Sequence, residues 1–297
     1  MNSLLIFVSH IWLAVVNSMV SWSPKSRARA ARLLATVFWI AVPKRRQVTL
    51  TNLRLCFPDW SEEKRQEVAK ECFYCLSRAA LDHSVLWKGT REDVERMVRF
   101  DPEELKHITS EDNRPLILIA PHFAGLDATG IGLNLHVRGV SLYQKQSNPV
   151  WDEAALAGRM RFNEPVLIAK SNQSDLRPVI RAMREGLPFY YLPDMDHGRR
   201  NSIFVPFFGV PAATLPMASR LAKMTKAKVL MCIPEMVEDG YKIHITECWD
   251  NFPTDDFEAD TLRVTQELER WILKFPAQYM WTHRRFKTRP EGEKSVY

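Results

Sequence analysis

The sequence predicts an α/β fold with a largely parallel central sheet flanked by helices, together with an N-terminal membrane-anchoring helix. Two observations support this prediction. From residue 114 onwards, short apolar runs alternate with segments of helical periodicity, an order typical of buried parallel sheets. The first 23 residues form an apolar stretch that has no Lys, Arg, Asp or Glu. With 297 residues, 46% of them hydrophobic, the chain can bury a large core.

Residues 1–23 are expected to form a membrane-anchor helix that ends before Pro24. A helix of this length reaches roughly 35 Å, enough to cross a hydrocarbon core of about 30 Å. His10 and Asn17 would lie inside such a span, so a helix lying in the membrane interface is an alternative. A cleaved signal peptide is disfavoured because no basic residue precedes the apolar run. A buried N-terminal helix with a solvated basic face is the remaining possibility.

Residues 24–60 are predicted to be a basic juxtamembrane segment. Between Met1 and Pro58 the chain carries eight Lys and Arg and no Asp or Glu, whereas the rest holds 33 basic and 35 acidic residues. The formal net charge of +6 therefore belongs to the N-terminal segment. Positive charge beside an apolar helix favours anionic lipid headgroups and a cytoplasmic location for the body of the protein. The chain has no nucleic-acid recognition motif, and no nucleic-acid partner is expected.

Residues 61–297 are predicted to form the α/β domain. A helix is expected over 61–87, where Ser61 and the acidic residues after it fit a helix N-terminus. Strands are expected at 115–120, 140–143, 166–169, 189–192, 229–233 and 241–245, and helices at 175–185, 215–226 and 256–274. The sequence contains no glycine-rich nucleotide-binding motif, so a nucleotide cofactor has no support.

His122 follows the first of these strands, at the edge where open α/β sheets bind ligands. A histidine can take up and release a proton near neutral pH. Asp127 comes five residues later, and a turn at Gly125 would allow its carboxylate to reach the far ring nitrogen of His122. A core histidine beside a helix-capping aspartate fits the same local spacing.

Three other groups are candidates for binding. Asp194, Asp196 and His197 follow the strand at 189–192 and could hold a divalent metal, face an anionic substrate or simply form a turn. The apolar loop 204–211, with Phe207, Phe208 and Gly209, fits either a wall for a hydrocarbon chain or core filling. Arg159 and Arg161 fit either a phosphate clamp or surface ion pairs.

The spacing of His122 and Asp127 resembles the His-x4-Asp motif of glycerolipid-type acyltransferases. Four further segments, in order and at matching spacing, resemble the bacterial lipid A biosynthesis (late) acyltransferase family of lauroyl and myristoyl type. They are 52–58 (NLRLCFP), 192–194 (LPD), 204–214 (FVPFFGVPAAT) and 276–287 (PAQYMWTHRRFK). Many members have His-Phe-Gly-Asn-Trp-Glu where this chain has His-Phe-Ala-Gly-Leu-Asp, so here the carboxylate stands on a shorter side chain.

The resemblance implies a membrane-attached enzyme on the cytoplasmic face of the inner membrane. It would transfer a fatty acyl group from acyl carrier protein to a hydroxyl of a lipid A precursor, a Kdo-modified acylated glucosamine disaccharide, without a metal or an organic cofactor. His122 would be the general base and Asp127 would orient its ring. Arg159 and Arg161 would contact the phosphorylated headgroup or the oxyanion, and Asp194 would organise the site.

An acidic acyl carrier protein is expected to dock on a basic surface near residues 284–289. Three other functions stay open at this point. The chain could be an acyltransferase for another membrane lipid, such as a lysophospholipid or an amino-acid lipid, or a non-catalytic lipid-binding membrane protein. It could also be a metal-dependent hydrolase whose ligands are His122, Asp127, Asp194, Asp196 and His197.

Overall fold

A seven-stranded sheet of mostly parallel strands forms the centre of the molecule, which confirms the predicted α/β class. The computed structural model describes residues 3–109, 114–170 and 176–297. The strands are β1 (Val98–Phe100), β2 (Leu116–Ile119), β3 (Val140–Tyr143), β4 (Val166–Ala169), β5 (Phe189–Tyr191), β6 (Ile203–Phe207), β7 (Val210–Thr214), β8 (Lys228–Val237) and β9 (Gly240–Ile245). The sheet has the order β1-β9-β8-β2-β5-β3-β4, and β6 and β7 form a separate hairpin.

The described residues also form eleven α-helices that surround this sheet. They are α1 (Ser3–Ser18), α2 (Pro24–Ala41), α3 (Pro43–Cys56), α4 (Glu62–Lys88), α5 (Arg91–Met97), α6 (Pro102–Thr109), α7 (Leu126–Leu133), α8 (Pro149–Arg159), α9 (Arg177–Arg184), α10 (Met217–Thr225) and α11 (Phe257–Lys274). Short 3-10 turns follow α1 at Met19–Ser21 and α11 at Pro276–Gln278.

The six predicted strands correspond to β2, β3, β4, β5, β8 and β9, whereas β1, β6 and β7 are not among the predictions. All four residues of β2 are buried, because helices cover both faces of a central parallel strand. Within the seven-stranded sheet one pairing is antiparallel, since β8 turns directly into β9. The predicted helix at 175–185 corresponds to α9, and its expected first residue, 175, lies outside the described residues.

The segment 24–60, predicted only as basic and juxtamembrane, folds into α2 and α3, and both helices pack against α4. Pro24 and Pro43 lie in the first turn of these helices, where proline loses no helical hydrogen bond. The backbone N–H of Ser26 donates to the Ser23 hydroxyl at 3.2 Å and so caps α2. The division of the chain into an anchor, a juxtamembrane segment and an α/β domain stays a prediction.

The N-terminal helix has the length and the composition of a membrane span. Leu4–Ser21 is long and apolar enough to cross a membrane, and it is the one such segment in the part of the chain that the structure describes. Leu5, Phe7 and Ile11 are exposed. Val16 and Met19 are buried in a small apolar cluster with residues of α2 and α4, which attaches the end of this segment to the body of the protein.

A buried ionic cluster joins α2, α4 and β9. The Asp82 carboxylate on α4 is 1% exposed and accepts hydrogen bonds from Arg27 Nε at 2.9 Å and from the Tyr241 hydroxyl at 3.0 Å. Arg78, one turn earlier on α4, lies 3.5 Å from the same carboxylate. Such a cluster is stable only while its charges remain paired.

Replacing Asp82 with alanine is expected to lower the free energy of unfolding by about 3–5 kcal/mol, because Arg27 and Arg78 would be left as buried unpaired charges. Urea unfolding followed by circular dichroism measures this loss. Glu62→Gln is the matched control, since its ion pair with Arg54 is exposed and should contribute less than about 1 kcal/mol. Equal losses for the two variants would contradict the prediction.

Candidate active site

His122 lies in the loop after β2, at the carboxyl edge of the sheet, as the sequence predicts. Two backbone hydrogen bonds join this loop to a segment much later in the chain. The Ala124 N–H donates to the Gln278 carbonyl at 2.8 Å, and the Met280 N–H donates to the His122 carbonyl at 2.9 Å. The backbone that follows the Cα of His122 is therefore fixed to this later segment.

The side chain of His122 is paired with Asp194. The ring Nδ1 lies 2.7 Å from Asp194 Oδ1, and the backbone N–H of His122 donates to Asp194 Oδ2 at 2.9 Å. The Asp194 side chain is 1% exposed, whereas that of His122 is 17% exposed. One buried carboxylate thus fixes both the ring and the backbone of a histidine that solvent can reach.

Asp194 remains ionised at neutral pH. Burial raises the pKa of its carboxyl group, but the charge and hydrogen bonds of His122 and the nearby Arg285 outweigh burial and lower it to about 2. An ionised carboxylate only accepts hydrogen bonds, so Nδ1 of His122 carries a proton. In the neutral ring, Nε2 is then unprotonated and can act as a base.

The prediction that Asp127 forms a hydrogen bond with the ring of His122 is wrong. Asp127 lies in the first turn of α7, and its carboxylate contacts side chains of α4 and α8 instead. The chain enters α7 at Leu126, immediately after the turn at Gly125, and the helix directs Asp127 away from the pairing that the spacing suggested. Asp194, at the end of the neighbouring strand β5, takes the place beside His122.

Asp127 instead forms an ion pair with Arg159 and a hydrogen bond with His83. Arg159 Nε donates to Oδ1 at 3.0 Å and Nη2 donates to Oδ2 at 3.1 Å, while His83 Nε2 lies 3.0 Å from Oδ2. Burial raises the pKa of Asp127, but Arg159 and His83 outweigh it and lower the pKa well below its usual value. The carboxylate is therefore charged and holds the guanidinium bidentately.

Arg161 is the second predicted anion-binding arginine. Its guanidinium is hydrogen-bonded to backbone carbonyls in α4 and just after the end of that helix. Its guanidinium donates to the Leu86 carbonyl at 2.6 Å and also to the Gly89 carbonyl. These bonds attach the end of α8 to α4. Its contact with a substrate stays a prediction.

The segment predicted as an apolar loop at 204–211 is the hairpin formed by β6 and β7. Phe208 and Gly209 form its two-residue turn with φ values of +49° and +77°, the combination that a tight hairpin requires. Phe207 is fully buried near the rings of Tyr279, Trp281 and Phe286. For this residue the structure agrees with core filling, one of the two predicted alternatives. Phe208 is partly exposed, and a wall for an acyl chain stays a prediction.

Two of the residues proposed as metal ligands, Asp194 and Asp196, are hydrogen-bonded to other groups. Asp196 accepts hydrogen bonds from the backbone N–H of Thr288 at 2.6 Å and of Gly198 at 2.8 Å, and Asp194 is paired with His122. Within residues 3–109, 114–170 and 176–297, no group of three or more His, Cys, Asp or Glu side chains is arranged to hold a metal ion.

Sequence reasoning missed two histidines near the site. His83 lies on α4, 44 residues before Asp127, and nothing in the local pattern of the helix signals the contact. His283 stands in the segment 276–287, and its Nε2 accepts the Asp196 N–H at 3.2 Å. Burial lowers the pKa of His283 to about 4, so this ring is neutral at physiological pH.

Comparison with known proteins agrees with the family resemblance seen in the sequence. A family model described as bacterial lipid A biosynthesis acyltransferase matches residues 2–288. The chain is 31% identical over 257 residues to the lipid A biosynthesis lauroyltransferase of Escherichia coli (strain K12), covering 86% of this chain and 83% of the relative. It is 31% identical over 258 residues to the lipid A biosynthesis myristoyltransferase of the same strain, covering 85% and 78%.

A solved structure, that of the 1-acyl-sn-glycerophosphate acyltransferase PlsC from Thermotoga maritima, matches with a TM-score of 0.39 and 16% identity. The match covers 86% of this chain and 99% of that one.

Mild acid should destabilise the protein through His283. Its pKa is about 4 in the folded state against an ordinary value of 6.5, so between these values the unfolded chain binds a proton that the folded chain does not. The free energy of unfolding therefore decreases as the pH falls from about 6.5 to about 4, and this contribution is constant below that range.

The variant His283→Gln retains an acceptor for the Asp196 N–H and should lose less stability over the same pH range. Urea midpoints measured at pH 7 and pH 4.5 test this. If the urea midpoints of wild type and variant fall by the same amount between pH 7 and pH 4.5, His283 is not the group that makes stability depend on pH.

Proposed function

The chain belongs to the bacterial lipid A biosynthesis acyltransferase family, and on that basis we propose that it transfers a fatty acyl group from acyl carrier protein to a hydroxyl of a lipid A precursor. The acceptor is a Kdo-modified, acylated glucosamine disaccharide. The observation that carries the proposed chemistry is the contact of Asp194 with both Nδ1 and the backbone N–H of His122. This contact leaves Nε2 as the base, on a side chain that is 17% exposed.

The reaction is a single displacement. The Nε2 atom of His122 removes the proton of the acceptor hydroxyl as its oxygen forms a bond with the thioester carbonyl carbon. The tetrahedral intermediate then releases the thiol of the carrier protein as the carbon–sulfur bond breaks, and the imidazolium returns the proton to the sulfur. Asp194 stabilises the imidazolium between these steps. A positioned base of this kind contributes about 10²–10⁴-fold to the rate.

Asp127 acts in this proposal through Arg159. The carboxylate holds the guanidinium, which contacts the phosphorylated headgroup of the acceptor or the oxyanion of the intermediate. Arg161 supports α8 beside it. Phe208 and Gly209 at the hairpin turn, with Phe207 beneath them, contribute an apolar wall for the acyl chain.

The acyl carrier protein docks on exposed basic side chains close to the site. Arg284 and Lys287 are exposed and lie in the segment that also carries His283. Arg285 is excluded from this role, because it is buried and donates to the Ala213 carbonyl at 2.8 Å. An acidic carrier protein would be attracted to the two exposed charges.

The protein is held at the inner membrane with its α/β domain on the cytoplasmic face. The segment Leu4–Ser21 supplies the anchor. Helix α2 adds exposed apolar side chains at Leu33, Val37 and Ile40, and the basic residues at the start of α3 follow directly. Apolar side chains beside basic ones suit an anionic membrane surface.

The experiment incubates detergent-solubilised protein with acyl carrier proteins that bear different acyl chains and with a Kdo-modified tetra-acylated lipid A precursor. Mass spectrometry should show the gain of one acyl chain. The His122→Ala variant should be at least about 100-fold slower, because it lacks the positioned base. His107→Ala on α6 is the control and should transfer at the wild-type rate.

Equal rates for wild type and His122→Ala would remove His122 from the mechanism. No product from folded wild type with any donor would overturn the proposed acceptor and direct the search to other membrane lipids. Activity that is lost on exhaustive chelation would instead favour metal-dependent chemistry.

A further inference from the structure

We propose that His83 is a positioning residue for acyl transfer, which holds the Asp127 carboxylate so that Arg159 faces the cavity beside the site. This inference rests on the proposed function. Neither the motif that contains His122 nor the other segments that resemble the family include His83. The inference depends on contacts between α4, α7 and α8.

Three donors converge on the Asp127 carboxylate. Two come from the guanidinium of Arg159, and the third is Nε2 of His83 at 3.0 Å. An ionised carboxylate can only accept, so His83 must carry its proton on Nε2. The guanidinium alone leaves the carboxylate free to rotate with it, whereas a third donor from a different helix fixes the orientation of the pair.

The ring of His83 is itself held in place by Trp87, one turn later on α4. The two ring centroids lie 4.5 Å apart. Trp87 can approach α8 only because residue 158 is glycine, since a Cβ there would come within 2.1 Å of the indole Cδ1. Trp87 thus packs against Gly158 on one side and against the ring of His83 on the other. This packing leaves the imidazole little freedom to turn away from Asp127.

Aspartate at position 127 and histidine at position 83 complement each other in size. A glutamate at position 127 would be longer than aspartate by one carbon–carbon bond of about 1.5 Å. With His83 Nε2 already 3.0 Å from Asp127, a longer side chain has no room to extend in that direction. His83 thus occupies the space that a glutamate would need.

The cluster faces an open cavity. A cavity of about 300 Å³ is lined by His83, Asp127 and Arg159. The Arg159 side chain is 33% exposed, so its guanidinium can contact a molecule in this cavity while it remains bound to Asp127. The rest of the lining is aromatic, amide and apolar apart from the carboxylate of Asp152, and consists of Trp87, Tyr143, Gln144, Gln146, Trp151, Asp152, Ala155 and Leu156.

The first test compares His83→Leu with His83→Gln. Leucine removes the hydrogen bond and should reduce kcat about tenfold, as expected for loss of a bond to a charged group. Glutamine can donate to Asp127 from its amide and should keep kcat within about threefold of wild type. His244→Leu is the matched control, because His244 also pairs with a carboxylate, that of Glu235 at 2.8 Å, and is 18% exposed against 19% for His83.

A second test uses the size relation. Asp127→Glu should reduce kcat in the presence of His83, and the double variant Asp127→Glu with His83→Ala should recover part of that loss. Recovery is expected because alanine frees the space into which the longer carboxylate extends. A double variant that is no faster than Asp127→Glu alone would contradict the proposed complementarity.

A third measurement separates this inference from the proposed function, because it needs no turnover. Modification of Arg159 by a dicarbonyl reagent, located by mass spectrometry, should be severalfold faster in His83→Leu than in wild type, His83→Gln or His244→Leu. The same rate in all four proteins overturns the positioning role, whether or not wild type transfers acyl groups. A different combination is that wild type lacks acyl-transfer activity while Arg159 is still modified faster in His83→Leu than in wild type. That combination supports the positioning role and overturns only the proposed reaction.

Discussion

The double hydrogen bond between Asp194 and His122 is the contact on which the geometry of the site depends. Asp194 follows β5 and His122 follows β2, and these strands are parallel neighbours with Ile119 opposite Tyr191. The register brings the two loops to the same edge of the sheet, where the carboxylate reaches the ring and the backbone N–H together. The desolvation of Asp194 is offset because both of its oxygens are bonded to the group that they position.

The site contains a second histidine–carboxylate pair with the opposite arrangement. Asp194 contacts Nδ1 of its histidine, whereas Asp127 contacts Nε2 of His83. The first arrangement leaves Nε2 of His122 unprotonated in the neutral ring, and the second holds a carboxylate that also binds Arg159. The two pairs therefore differ in which ring nitrogen the aspartate leaves free.

The sequence predicts the sheet and the location of His122 well because both follow from local patterns. Apolar runs of four to six residues mark central parallel strands, and a polar residue after such a run lies at the sheet edge. The partner of His122 could not be deduced in this way, because Asp194 lies 72 residues away and Asp127 is a nearer carboxylate. The hairpin of β6 and β7 escaped notice because its turn contains Phe208, where Asn, Asp or Gly is usual.

The anchoring of the His122 loop by the Gln278 and Met280 backbone has a consequence for the biogenesis of the protein. A ribosome makes the chain from the N-terminus, so the apolar helix leaves it well before the segment at 278–280. The loop that carries His122 lacks these backbone partners throughout that interval. The apolar helix of a nascent chain can therefore form long before the His122 loop takes its final geometry, and the order of synthesis separates the two events.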